Sequence, residues 1–579
     1  MNALGYGAAV MSIWSMQAAA AAAQPAISVS DATVVEGDTG STELVFTLSL
    51  SEPLTSVAGI TYRVTAGTAT EYGDFLGGAN TFTLLPGGPL PVIRTRVIGD
   101  NFPEADETFT VTLSQPSGVT IADGQGIGTI TDDDGQPTYY FAEGATGSFF
   151  DFDIALANPH AVAAHITLTF LLPDGEAPIV VSRTLAPTSR TTIRVDEIAG
   201  LEARSGMSTV ITSVDGLPLV ADQMMRWSEL HYGGHAGRAN TAPSLTWYFA
   251  EGVQNGATPQ TGGLPYFDTF LMLANTSPSP AEATVRFLLE PSGIVTKTYQ
   301  LGPSSRTTVY AGAIPEVVGR SFAMEVTSTA PIFAERSTYF GAARLWDGGH
   351  RSTGVRAPAT AWIFAEGATG PFFETFLAIA NPGATETGVQ INYSTPSGLV
   401  FSSTKTVPAG ARLTVNVEQE HALLANAAVS MNVYSLFAPI VAERITYWPD
   451  PATSWSEAHS SFGETIVGVK WGLAEGRVGG PEPSETYLML HNSLIDTSNI
   501  TATFFRTGGA APVVKTFSIP PGRFTLNVNS MVPELANEEF STQIAVTSGP
   551  PINVEGAIYW DALGVPFAGG VAIAATRLP

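Results

Sequence analysis

Short runs of β-branched and aromatic residues recur along the whole chain, separated by glycine, proline and asparagine. Thr284-Val285-Arg286-Phe287-Leu288-Leu289 is one such run, and Arg412-Leu413-Thr414-Val415-Asn416-Val417 alternates in and out as a half-buried strand does. Pro-Ser-Gly and Asn-Pro turns punctuate them. Only Val417 to Ala427 has a spacing that suits a helix. The pattern predicts an all-β protein. With about seven short strands per hundred residues, it reads as a multidomain string of Ig-like antiparallel β-sandwiches.

The runs keep a long period. Phe141-Ala142-Glu143-Gly144 returns as Phe249-Ala250-Glu251-Gly252, as Phe364-Ala365-Glu366-Gly367 and, with one change, as Leu473-Ala474-Glu475-Gly476, at spacings of 108, 115 and 109 residues. Other residues hold the same register. Asn158, Asn275, Asn381 and Asn492 each close an apolar run, and Arg190, Arg306, Arg412 and Arg523 recur further on. Pro218, Pro331, Pro439 and Pro551 each precede an acid by four positions, at Asp222, Glu335, Glu443 and Glu555. The tryptophans Trp227, Trp247, Trp362, Trp448, Trp471 and Trp560 follow the period, as core anchors would. The expected division is a signal peptide over 1–26, an acidic module over 27–137, and four repeats over 138–245, 246–360, 361–469 and 470–579.

The signal peptide is read from the apolar, alanine-rich stretch Ala8 to Ala23, although no Lys or Arg precedes Arg63. No later run is long and apolar enough for a transmembrane segment, so the chain is expected to be exported, either secreted or at the cell surface. Its net charge is −26, with 26 basic against 52 acidic side chains and only four lysines. Nucleic-acid partners are excluded on that balance, because phosphate recognition needs basic stripes. The absence of cysteine removes disulfides, thiolate nucleophiles and cysteine-ligated metals.

Residues 27–137 carry 15 Asp or Glu against three Arg. Many of these acids fall at strand ends, where the loops of a sandwich converge. Gathered carboxylates repel unless a cation lies between them, and Ca²⁺ tolerates six to eight oxygens in flexible geometry. Solvated turns are also rich in Asp and Glu, and charge alone leaves both readings open. The phrases Val35-Glu36-Gly37, Gly67-Thr68-Ala69-Thr70, Gly73-Asp74-Phe75, Gly99-Asp100, Glu104-Ala105-Asp106-Glu107-Thr108-Phe109 and Gly128-Thr129-Ile130-Thr131-Asp132-Asp133-Asp134 follow in an order that resembles the Calx-β domain. That family comprises Ca²⁺-binding β-sandwiches of sodium/calcium exchangers, an integrin β subunit and many bacterial surface and secreted proteins. The resemblance implies ligand roles for Glu36, Asp74, Asp100, Glu104, Glu107, Asp132, Asp133 and Asp134. Exchanger-type domains often carry paired acids where this chain has Gly99-Asp100 followed by Asn101, which implies fewer or weaker ions.

The four repeats are similar to β-sandwich repeats of secreted bacterial proteins, a resemblance that carries no activity. Each unit offers the Phe-Ala-Glu-Gly glutamate, a second acid seven residues before its Asn (Asp151, Asp268, Glu374, Glu485) and one recurring Arg. A buried acid needs a partner, so that Arg is expected to reach a carboxylate of its own unit. His235, His350 and His459 recur once in each of the first three units, with no equivalent in the fourth, too sparsely for zinc. No His-Glu-x-x-His, Gly-x-Ser-x-Gly or phosphate-loop context is present, and no catalytic residue is assigned. The expected function is that of a non-enzymatic calcium-binding protein with a structural or adhesive role, its partner a cell-surface protein or glycan. The rival is a glycan-binding module array serving a separate enzyme, with Trp346 and Trp455 as the exposed stacking candidates and His231 standing there in the first unit.

Overall fold

The computed structural model describes residues 24–37, 40–100, 102–173, 175–227, 232–255, 266–341, 346–449, 455–562 and 564–578. The candidate signal segment up to Ala23, Asn101 and His231 lie outside them. The described chain is almost entirely β, with one four-residue α-helix and a few 3₁₀ turns. Val417 to Ala427 is not a helix: it breaks into the 3₁₀ turns Val417–Gln419 and Ala422–Leu424, the second capped by His421 accepting the Leu423 N–H at 3.2 Å.

The acidic module is a sandwich of two five-stranded sheets. Ala26–Val29, Ser41–Leu50, Phe75–Leu76, Val92–Ile98 and Thr120–Asp123 form one sheet, and Ala32–Val35, Ala58–Ala66, Gly78–Leu84, Glu107–Ser117 and Gln125–Thr131 form the other. Between them Phe75 stacks on Phe109 at 4.5 Å, with Ile27, Phe46, Ile60 and Val111 fully buried around the pair.

The rest of the chain builds four further two-layered units, the layers of the second being joined into one eight-stranded sheet by the long strand Arg320–Gly341. In the first, Phe150–Asn158 pairs with Ser189–Arg194 and Val220–Trp227, and Val220–Trp227 pairs in turn with the inner strand Gly233–Arg238. The same order recurs through Tyr266–Asn275, Glu374–Asn381 and Ser484–Asn492. The recurrent asparagines explain where these strands end. Asn158 Nδ2 donates to the Val162 and Ala186 carbonyls at 2.8 and 2.9 Å, while its Oδ1 accepts the His160 N–H. Asn275, Asn381 and Asn492 make the equivalent three bonds in their own units, satisfying loop groups that would otherwise be orphaned. The six register tryptophans are all buried. Lys297, Lys405 and Lys515 occupy the outermost strand of their sandwiches and pair with Glu316, Glu420 and Glu534 at 2.9, 2.7 and 2.6 Å, charges that discourage edge-to-edge pairing.

The sandwiches follow one another along the chain, and the last returns to the first. Inner strands Gly233–Arg238, Gly348–Ser352, Glu457–Phe462 and Val565–Ala574 pack on each other in cyclic order around a common axis. Their glycines permit that approach. A Cβ on Gly234 would lie 2.6 Å from the Trp560 ring of the fourth unit, and one on Gly570 would lie 2.9 Å from Trp448 of the third. Polar groups close the same interfaces. Each acid four residues after the recurrent proline accepts backbone N–H groups of the preceding unit's Phe-Ala-Glu-Gly phrase. Glu335 accepts from Glu143 at 2.8 Å, Glu443 from Glu251 at 3.2 Å and Glu555 from Ala365 at 2.8 Å, and Asp222 closes the ring by accepting from Ala474 at 2.6 Å.

The recurrent arginines do not reach carboxylates of their own unit. Arg190 pairs with Glu475 and Glu539 of the fourth unit at 2.7 and 2.6 Å, and Arg306 donates to the Ala142 carbonyl of the first. Arg412 donates to Gly252 of the second unit and Arg523 to Gly367 of the third. The reason is geometric. These arginines sit on an outer strand facing the preceding unit, whose Phe-Ala-Glu-Gly phrase presents carbonyls that accept one bond within that unit and keep a second lone pair. Glu251 and Glu366 are paired instead by Arg336 and Arg444, at 2.6 and 2.5 Å, and each of these arginines also reaches the following unit, at Glu443 and Glu555.

Candidate metal centre

Strand register gathers the acids of the first module at one end of its sandwich. Ala32–Val35 runs parallel to Gln125–Thr131 with Val35 opposite Thr131, so the next residues, Glu36 and Asp132, leave the sheet side by side. Glu107–Ser117 pairs antiparallel with the same strand, Ile130 opposite Glu107, which puts a third acid at that edge. From the other sheet Phe75 pairs with Val97, and the Ile98 N–H donates to the Asp74 carbonyl at 2.7 Å, bringing Asp74 and Asp100 into the same corner.

Two trios result. Carboxylate oxygens of Glu36, Asp132 and Asp134 lie within 4.8 Å of one another, and so do those of Asp74, Glu104 and Glu107. No other group of three His, Asp or Glu side chains meets that condition among the described residues. Burial, reinforced by Asp100, Asp134 and Glu104, pushes the Glu36 carboxyl up to about 9. Burial and the facing carboxylates raise Glu107 to about 8 and Glu104 to about 7. Asp100 is raised by burial, while the Phe102 N–H, donating to Oδ1 at 2.8 Å, and Arg577 work against the shift. Glu107 Oε2 is buried with no donor facing it among the described residues. An all-carboxylate set with a buried acceptor oxygen lacking a donor fits a hard cation held by oxygen ligands.

Six of the eight residues singled out in the sequence are in the trios. Asp100 sits beside both without joining either. Asp133 points away: its Oδ1 accepts the Gly37 N–H at 3.0 Å, locking the two strand ends together. Arg577, near the end of the chain, had no sequence signal. Its guanidinium donates to the Gly73 and Gly99 carbonyls at 3.0 and 3.1 Å, the residues just before Asp74 and Asp100, and lies 4.0 Å from Asp100 Oδ2.

The first module matches the Calx-beta domain model over residues 21–134. No curated protein matches the chain significantly. Among solved structures, the apo-form Calx CBD1 domain is 27% identical, covering 19% of this chain and 98% of that one, with a TM-score of 0.17. Thermotoga maritima 1070 is 16% identical over 20% of this chain and 96% of its own, with a TM-score of 0.18. The calcium binding domain CBD12 of CALX1.1 is 18% identical over 35% and 78%, also at 0.18. Calx-beta domains bind Ca²⁺ in homologues, and the acid trios of this Calx-β module are compatible with that ion.

Among its described residues the four-sandwich ring gathers no comparable set. His235 and His459 are buried against Tyr339 and Tyr559 of the following unit at 3.0 Å, bonding sandwiches together. Burial and the adjacent Arg336 or Arg444 push His350 and His459 well below the ordinary imidazole range, which keeps both neutral. Trp346 and Trp455 are half-buried. Each stacks on a tyrosine, Tyr339 or Tyr447, at 4.7 and 4.3 Å, and each indole N–H donates to an acid of its own unit, Asp268 or Glu374.

Proposed function

We propose that this is an exported, non-enzymatic calcium-binding protein with a structural or adhesive role at the cell surface or outside the cell. The observation that carries the reading is the pair of acid trios at one end of the Calx-β module, with the donorless Glu107 Oε2 inside one of them. In this reading Glu36, Asp132 and Asp134 hold one ion and Asp74, Glu104 and Glu107 another, and Ca²⁺ offsets the burial and mutual repulsion that raise Glu36, Glu104 and Glu107. Asp100 contributes charge beside both. A scaffold role is supported by the ring, where the recurrent buried polar groups join one sandwich to the next. No helix of the described residues is long and apolar enough to cross a membrane.

The glycan-array reading gains no support at Trp346 and Trp455, whose rings and N–H groups are engaged within the fold. A glycan array tests it: sugar binding abolished by Trp346→Ala and Trp455→Ala would favour it. Calcium binding is tested by thermal melts of the whole chain with Ca²⁺ and with chelator. An ion that binds only the folded state stabilises by about 2.7 kcal/mol at a hundredfold excess over Kd. Identical midpoints across millimolar Ca²⁺ with no binding heat would end the reading. Fractionation of producing cells tests export.

A further inference from the structure

A cavity of about 320 Å³ lies at one end of the ring, beneath the Calx-β module. Its wall is formed where the loops that follow the four inner strands converge, and Asp100 and Phe102 of the Calx-β module close it from above. Three guanidinium groups from three different units line it: Arg238, Arg356 and Arg577. Among the described residues, the acids Asp100 and Glu464 line it with them, and Asp74 and Glu36 also act on Arg577. In a chain of net charge −26, more arginines than acids line this cavity among the described residues.

Arg238 and Arg577 are anchored without being exhausted. Arg238 Nη1 pairs with Glu464 at 2.5 Å and donates to the Ala575 carbonyl at 2.7 Å. Arg577 uses two nitrogens on the Gly73 and Gly99 carbonyls. A guanidinium carries five donors, so N–H groups remain on both, and the three arginines are all half-buried. Fixed guanidinium groups in a partly desolvated wall bind a carboxylate or phosphate bidentately, with the geometry already set. Hydroxyl groups of Thr465 and Thr576 complete the wall with donors that can also accept. The size is at the lower end of the range for small-molecule sites, room for one sugar ring rather than a chain.

We propose that this axial cavity binds a small hydroxylated organic anion of the sugar-acid class, its carboxylate held by the arginines. The test is calorimetric titration of the full chain at a fixed Ca²⁺ concentration with glucuronate, glucose and inorganic phosphate. Glucuronate should bind saturably and glucose should not. Arg356→Gln, on a half-exposed loop, should weaken glucuronate by about tenfold or more, the loss expected for charge-assisted hydrogen bonds. If that variant fails to fold, raising the salt on the wild-type chain should lower the affinity instead, since solvent-accessible charge pairs are screened. Phosphate binding with glucuronate excluded would overturn the sugar-acid class. No saturable binding of either anion, or glucuronate binding indifferent to Arg356→Gln and to salt, would overturn the site itself.

Discussion

Arg444→Ala is expected to open the ring between its third and fourth sandwiches. Arg444 has no solvent exposure, and its two terminal nitrogens reach Glu366 of its own unit at 2.5 Å and Glu555 of the next at 2.9 Å. Both carboxylates are buried, at 3% and 1% side-chain exposure, and Glu555 also accepts the Ala365 and Glu366 N–H groups across the interface. Removing one partner of a buried ion pair costs about 3 to 5 kcal/mol, because the other charge is left unpaired in a poor solvent. Here a single guanidinium serves two carboxylates, which places the loss at the upper end, about 5 kcal/mol. Urea denaturation read by tryptophan emission suits the measurement, since the Trp448 indole N–H donates to the Phe567 carbonyl across the same interface at 2.9 Å. Replacing the trio together, as Arg444→Met with Glu366→Gln and Glu555→Gln, should recover most of the loss, since neutral groups need no counter-charge. A loss below about 1 kcal/mol, the value of an exposed pair, would refute the argument.

Calcium affinity should rise with pH. Glu104, Glu107 and Glu36 are raised to about 7, 8 and 9, so the folded, ion-free module binds protons that its unfolded chain has already released, and its stability falls as pH climbs through that window. Ca²⁺ must displace those protons, and titrations in buffers of different ionisation enthalpy should detect their release; an affinity flat from about pH 6 to 9 would count against the site. Glu107→Gln and Asp134→Asn should each weaken Ca²⁺ by about tenfold or more, as loss of a charged ligand does, while Asp133→Asn, whose carboxylate caps Gly37, should change affinity little. Gly234→Val should destabilise the ring by about 1 to 3 kcal/mol through overpacking against Trp560, whereas Gly135→Ala, with nothing within 4 Å of its Cβ, should stay within about 0.5 kcal/mol in the same denaturation assay.

By itself the sequence determined the β class, the long period and the residue types that each sandwich needs in its core. Those are local properties: alternation decides strands, and an Asn at a strand end bonds its own loop whatever the rest of the chain does. It also marked the acid corner. What it left open was the partner of each buried charge. Glu335, Glu443 and Glu555 must be satisfied by some donor, and the chain spacing is the same whether that donor lies in their own unit or in the preceding one. Arg336 and Arg444 were hidden because the first and fourth units carry Gln223 and Gly556 at that position. Ring closure chose the neighbour, and it rests on glycines that let inner strands meet at the axis and on Asp222 meeting Ala474 across 252 residues. The cavity beneath the Calx-β module has the same origin. Arg238, Arg356 and Arg577 are remote along the chain, and only the closed ring sets their charges side by side.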